Sequence, residues 1–126
     1  MIAEGSVYLL RDSESKPHYH IVVFTDQIGQ DKRCIICYLS SSTTLQDLTT
    51  TFEAGEDFFI DRPCWVKFRN AKIMVEMDIE NFTSIGVVSN ENLEKIKDGF
   101  KQSLRKMPRE VKTLWESWEQ DRLFSS

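Results

Sequence analysis

Along residues 1–89 the apolar positions come in short runs, each ended by polar residues. The runs at residues 5–10, 20–25, 33–39, 64–68 and 72–77, with a shorter stretch near Phe52, are rich in Val, Ile, Phe and Tyr. Runs of this length and content predict strands. The breakers between them, at residues 12–15, 27–31 and 40–44, carry Asp, Gln, Ser and Thr, which satisfy nearby backbone groups in turns. Five or six short strands predict a small barrel. Between Trp65 and Met77 the apolar parity changes, because Val66 and Phe68 set one face whereas Ile73, Val75 and Met77 set the other. That switch predicts a bulge or sharp bend near Asn70–Ala71, of the kind small barrels use to turn corners.

Beyond Ile85-Gly86-Val87-Val88 the period lengthens. Ser89 or Asn90 can cap, Glu91 and Glu94 suit a first turn, and Leu93, Ile96, Phe100 and Leu104 recur at helical spacing. Pro108 is acceptable only in the first turn of a second helix, whose stripe is Val111, Leu114, Trp115 and Trp118. The fold class expected is therefore mainly β, a β-barrel with two C-terminal helices. A stripe of this kind is more often core than a partner's anchor.

Composition narrows the picture. A chain of 126 residues, 40% hydrophobic and 29% charged, fits one domain over residues 1–126. Within it residues 1–89 form the barrel and 90–126 a helical segment packing on it or on a partner. Sixteen Lys and Arg against twenty Asp and Glu give a formal charge of -4. That argues against a whole-molecule electrostatic grip on nucleic acid and confines any such site to a local patch. The first part carries eight basic against thirteen acidic residues, the last 37 residues eight against seven. No stretch approaches the roughly 18 apolar residues of a membrane helix, and the N-terminal residues lack a basic segment followed by a long apolar run. A cytoplasmic protein without membrane contact is expected. Three cysteines make no disulfide framework and fit a reduced compartment.

Candidate chemistry is sparse. Cys34-Ile35-Ile36-Cys37 has the spacing of a redox or zinc motif, but in a strand residues three apart face opposite ways, so these thiols and Cys64 are read as core. No metal site is expected. His18 and His20 share a face if their strand has begun, and imidazole is the side chain best suited to proton exchange near neutral pH. Residues 62–72 hold Arg62, Lys67, Arg69 and Lys72 and no acid. With Val66 and Phe68 inward, Trp65, Lys67 and Arg69 would project together, a stacking plane beside two phosphate-seeking charges suited to single-stranded RNA. An edge strand guarded by outward Lys and Arg explains the charges equally well and leaves Trp65 unexplained. The hydroxyls from Ser40 to Thr44 could bind phosphate together with backbone amides, or form a plain polar loop.

Taken in order, these pieces resemble the PemK/MazF-like toxins of bacterial toxin-antitoxin systems, small barrels of SH3-like architecture. Glu4-Gly5-Ser6-Val7-Tyr8 looks like the family's opening strand. Lys16-Pro17-His18 running into Ile21-Val22-Val23 looks like its basic-Pro lead-in to the second strand. Tyr38-Leu39-Ser40-Ser41 stands where family members end a strand with an apolar-Thr-Ser sequence. The run from Phe52 through Glu53-Ala54-Gly55-Glu56-Asp57-Phe58-Phe59 to Ile60, followed by Trp65-Val66, resembles the middle section of a subgroup.

The resemblance implies a metal-independent endoribonuclease that cuts single-stranded RNA, needs no cofactor, forms a homodimer and is silenced by an antitoxin protein. Such cleavage requires a base for the ribose 2′-hydroxyl, an acid for the leaving 5′-oxygen and cations for the phosphorane. On that pattern His18 is the acid or base, Lys16 and Arg69 hold the phosphate, and Ser40 and Ser41 orient it. His20 is the weaker candidate for the complementary proton transfer, and Trp65 and Lys67 help hold the strand. The chain departs from the family at Lys16, where many members carry Arg with its bidentate fork, and at Cys64 and Val66, where the best-studied type carries Asp and Arg. The alternative is an inactive barrel that binds RNA or protein through the same groove. An SH3-like adaptor for proline-rich peptides fits less well, because such grooves need clustered aromatics with acidic neighbours.

Overall fold

The strand Arg33–Ser40 (β3) is the centre of the sheet in the computed structural model of the chain, which describes residues 2–11 and 17–125. One edge of β3 pairs with Pro17–Thr25 (β2), placing His20 opposite Tyr38 and Ile21 opposite Cys37. The other edge is shared by two short strands. Lys72–Val75 (β6) pairs with the first half of β3, and Cys64–Val66 (β5) with its last two residues. Ser6–Arg11 (β1) and Ser84–Val87 (β7) extend the sheet beyond β2, and Thr51–Phe52 (β4) pairs with β5. Every pairing is antiparallel, so the chain is a curled, mainly β half-barrel followed by helices.

Two strands on one edge of β3 require a corner between them. Phe68–Asn70 makes it as one turn of 3-10 helix, at the place where the apolar parity switches. The expected strands on either side are both shortened. β5 stops at Val66, and β6 stops at Val75, after which Glu76–Ile79 (α1) is a single helical turn. Val75 is 42% and Met77 76% exposed, so the inward parity read for them does not hold; α1 buries Ile79 instead. β7 is a strand where the pattern showed only an apolar run before the helices.

Strand alternation builds a core on each face of the sheet. Val7, Ile21, Val23, Ile35 and Cys37 enter the larger cluster, which is filled by Phe52, Val66, Phe68 and the helices. Tyr8, Leu10, Val22, Cys34 and Ile36 form a smaller cluster on the other face with Ile2 and Ile79. Cys34 and Cys37 therefore point to opposite sides, as their spacing in a strand requires.

The helix Asn90–Gln102 (α2) begins where Ser89 Oγ accepts from the Asn92 amide at 3.2 Å. It buries Leu93, Ile96 and Phe100, whereas Leu104 falls in a following 3-10 turn, Leu104–Lys106. The last helix, Arg109–Ser125 (α3), places Val111, Leu114 and Trp118 in the larger cluster, with Trp115 against Phe24 and Phe100. The predicted stripe thus packs on this chain's own barrel. No helix among the described residues is long and apolar enough to cross a membrane.

Candidate functional site

β2 begins and β3 ends at the same rim of the sheet, because antiparallel pairing sets Pro17–His20 beside Tyr38–Ser40. A cavity of about 330 Å³ opens there. His18 and Ser41 line it from the strand ends, and Tyr19, Leu39, Phe59 and Ile60 form its apolar wall. The segment between β4 and β5 folds over the opening and brings Arg62 and Asp61 to it.

That segment is fixed by Asp57. Its carboxylate accepts from the Phe58 amide at 2.8 Å, from the Ser89 amide at 3.0 Å and from Asn92 Nδ2 at 2.9 Å. Burial alone would raise the Asp57 pKa, but these hydrogen bonds favour the charged form and hold it below the ordinary carboxylate value. The clasp spans 32 to 35 residues of sequence, so nothing local in the chain announces that Arg62 and His18 line one cavity. Arg62 is the residue that reading strand by strand did not single out.

Ser41, Arg62 and Cys64 also line a second cavity of about 460 Å³, which adds Thr43, Gln46 and Leu48. Gln46, Leu48 and Trp65 line a third of about 560 Å³, which reaches Arg69 and Lys106. Shared walls make these one trough, running from His18 past Arg62 to Arg69. His18 lines the first of these cavities and Arg69 the third, and no one cavity is lined by both. The cation that lines the same cavity as His18 is Arg62, whose Nε lies 3.2 Å from Asp61 Oδ1 with both side chains exposed. Asp47, Glu53 and Asp61 also line the trough and balance its cations.

Three sequence expectations are corrected here. Trp65 is 4% exposed, with Val66 and Phe68 buried on either side of Lys67, so it presents no stacking plane. Its Nε1 donates to the Ser42 carbonyl at 2.9 Å, holding the hydroxyl-rich loop instead. His20 is 3% exposed, so its ring is closed off from any ligand at the surface; its Nδ1 lies 3.0 Å from the His18 carbonyl, which can only accept, so Nδ1 carries the hydrogen. Ser40 is buried, and its Oγ accepts from the Ser42 amide at 3.2 Å, a turn contact away from the cavity that Ser41 lines. Lys16 lies outside the described residues.

Outside the cavity, cross-strand pairing sets Tyr8, His20 and Tyr38 in one row across β1, β2 and β3. The Tyr38 ring lies 5.0 Å from that of His18 and 5.4 Å from that of His20, and Lys67 Nζ is 5.8 Å from its centroid. The Lys67 amide donates to the Tyr38 carbonyl at 3.0 Å, which ties the two residues together. Cys64 is a half-buried thiol that burial pushes up to about 11, so at neutral pH it is a poor nucleophile. Among the described residues no group of three or more His, Cys, Asp or Glu side chains could hold a metal ion. Set against protein-family models the chain matches none, and no curated protein matches it.

Proposed function

We propose that this protein is a metal-independent endoribonuclease cutting single-stranded RNA in the cytoplasm, a toxin of the PemK/MazF-like kind with an SH3-like barrel. Its further partners in this reading are a second copy of the chain and a cognate antitoxin. The observation that carries it is the cavity that His18, Ser41 and Arg62 all line, where β2 begins and β3 ends. Pro17-His18 and Tyr38-Leu39-Ser40-Ser41, which belong to the family-like sequences, meet at this rim.

The chemistry follows from the groups. His18 takes the proton of the 2′-hydroxyl as that oxygen attacks phosphorus. The Arg62 guanidinium supports the charge of the phosphorane, and the Ser41 hydroxyl orients a phosphate oxygen. The apolar wall of Tyr19, Leu39 and Phe59 gives a base or ribose a dry surface. Arg69 and Lys106, further along the trough, hold phosphates of the same strand away from the bond being cut.

A second reading is favoured by the Asp61–Arg62 contact, which engages the cation the reaction needs. In that version the trough binds RNA or protein without cutting. Purified protein incubated with single-stranded RNA in the presence of chelator separates the two. Cleavage that His18→Ala lowers by roughly 10²-fold or more supports the ribonuclease. Intact RNA with retained binding supports the binding module.

A further inference from the structure

Among the described residues that line the cavity at the strand ends there is one carboxylate, that of Asp61. An ionised carboxylate accepts hydrogen bonds and cannot donate them. It repels phosphate oxygens, yet it stands next in sequence to Arg62, the cation of the same cavity. The two side chains meet through a single bond, from Arg62 Nε to Asp61 Oδ1 at 3.2 Å. Among the described residues no other hydrogen bond or ion pair engages Asp61 Oδ2 or the Nη groups of Arg62. The Asp61 side chain is 77% exposed, so it stands at the opening of the cavity and not under its wall.

We infer that Asp61 is the residue that sets base specificity at this site, and that the base it selects is guanine. The inference rests on the RNA reading above and adds to it the nucleotide that the cavity takes. Unstacked bases of single-stranded RNA are read by hydrogen bonds along their Watson–Crick edges. Guanine alone carries two adjacent donors there, N1–H and the N2 amino group, which match the two oxygens of one carboxylate. Adenine and cytosine each offer one amino donor beside a ring nitrogen that accepts, and uracil offers N3–H between two carbonyls. Each of these three sets an acceptor against Asp61, a contact that works against binding where guanine makes a second charge-assisted bond.

The rest of the cavity suits a base. Its volume of about 330 Å³ is that of a small-ligand pocket, and Tyr19, Leu39, Phe59 and Ile60 give the flat apolar body of a purine a surface to lie on. The Asp61–Arg62 contact then has a use. Nε of Arg62 steadies the carboxylate, while the Nη groups remain for a phosphate oxygen. A group that reads the base and a group that holds the phosphate stand side by side on consecutive residues.

Binding of short RNAs to the full chain tests this. The strands are oligouridines of about six nucleotides with one central position changed to G, A, C or inosine, and fluorine replaces every 2′-hydroxyl so that none is cut during the measurement. By fluorescence anisotropy the G strand should bind about tenfold or more tighter than the A, C and all-U strands. The inosine strand, which lacks the N2 amino group, should fall between. Asp61→Asn should abolish the preference for G. Because it also removes a negative charge, it should bind the A, C and U strands at least as tightly as the wild type does, so the ratio between strands is the measure. The side chain is exposed, and the variant should keep the wild-type urea midpoint. Equal affinity of the wild type for all strands would overturn the assignment, as would preference for another base or a preference for G that survives in Asp61→Asn. If the wild type binds no strand, the RNA reading itself fails and this inference with it. If it prefers G yet leaves the unfluorinated strand intact, the ribonuclease step fails and the base selection stands.

Discussion

His20 lies between Tyr8 on β1 and Tyr38 on β3, and Trp65 lies under the loop that follows β3. Each has the chemistry of a nucleic-acid contact, yet each spends its polar atom inside the protein, on the His18 and Ser42 carbonyls. Residue type was legible in the sequence and depth was not, because depth depends on which distant segment lies across the strand. For Trp65 the difference can be measured. Trp65→Phe keeps most of the buried ring and loses the hydrogen bond, so it should cost about 1 kcal/mol in urea unfolding and leave RNA affinity unchanged. A loss of binding at full stability would restore Trp65 as a contact residue. Ser41 and Ser40 show the same contrast between neighbours, one opening on the cavity and the other closing a turn.

At the scale of elements, β2, β3 and α2 were legible because each is long and carries its pattern on contiguous residues. The corner at Phe68–Asn70 showed as a parity switch, although its form as a 3-10 turn did not. α1 and β7 were not legible, because four residues with mostly exposed side chains give no period to read. Gly99 is where α2 packs tightly on Thr50 and Phe68: a Cβ there would collide with Thr50 Oγ1 and lie 2.8 Å from Phe68 Cζ. Gly99→Ala should therefore destabilise by about 1 to 3 kcal/mol despite alanine's better helix propensity, read from the thermal midpoint. Asp57 makes a pH-dependent contribution. Its folded pKa lies below the unfolded one, so its stabilisation is complete above the ordinary Asp range of about pH 4 and is lost as pH falls through the folded value. Asp57→Asn should be less stable than wild type at pH 7 by about 1 kcal/mol, the low end for a charged hydrogen-bonded group because the carboxylate is partly exposed. Urea titrations at pH 7 and pH 3 should show the gap closing in acid.

For the molecule as a whole, the site was legible only where it is built from strand ends. His18 and Ser41 stand beside family-like sequences, whereas Arg62 arrives through the Asp57 clasp on α2 and its capping residue. The net charge of -4 agrees with a trough in which Arg62 and Lys106 each lie near an acid, so any grip on RNA is made by placement more than by a broad positive field. The position of β3 has a consequence for how the molecule breathes. It is bonded along both edges, whereas β7 is a four-residue strand paired with β1 alone in the sheet order. In deuterium exchange, amides of β3 and its β2 partner should be the last to label, and those of β7 among the first. A strand with such slow amides would lead straight into Ser41, so this wall of the cavity would keep its register while the edge of the sheet frays.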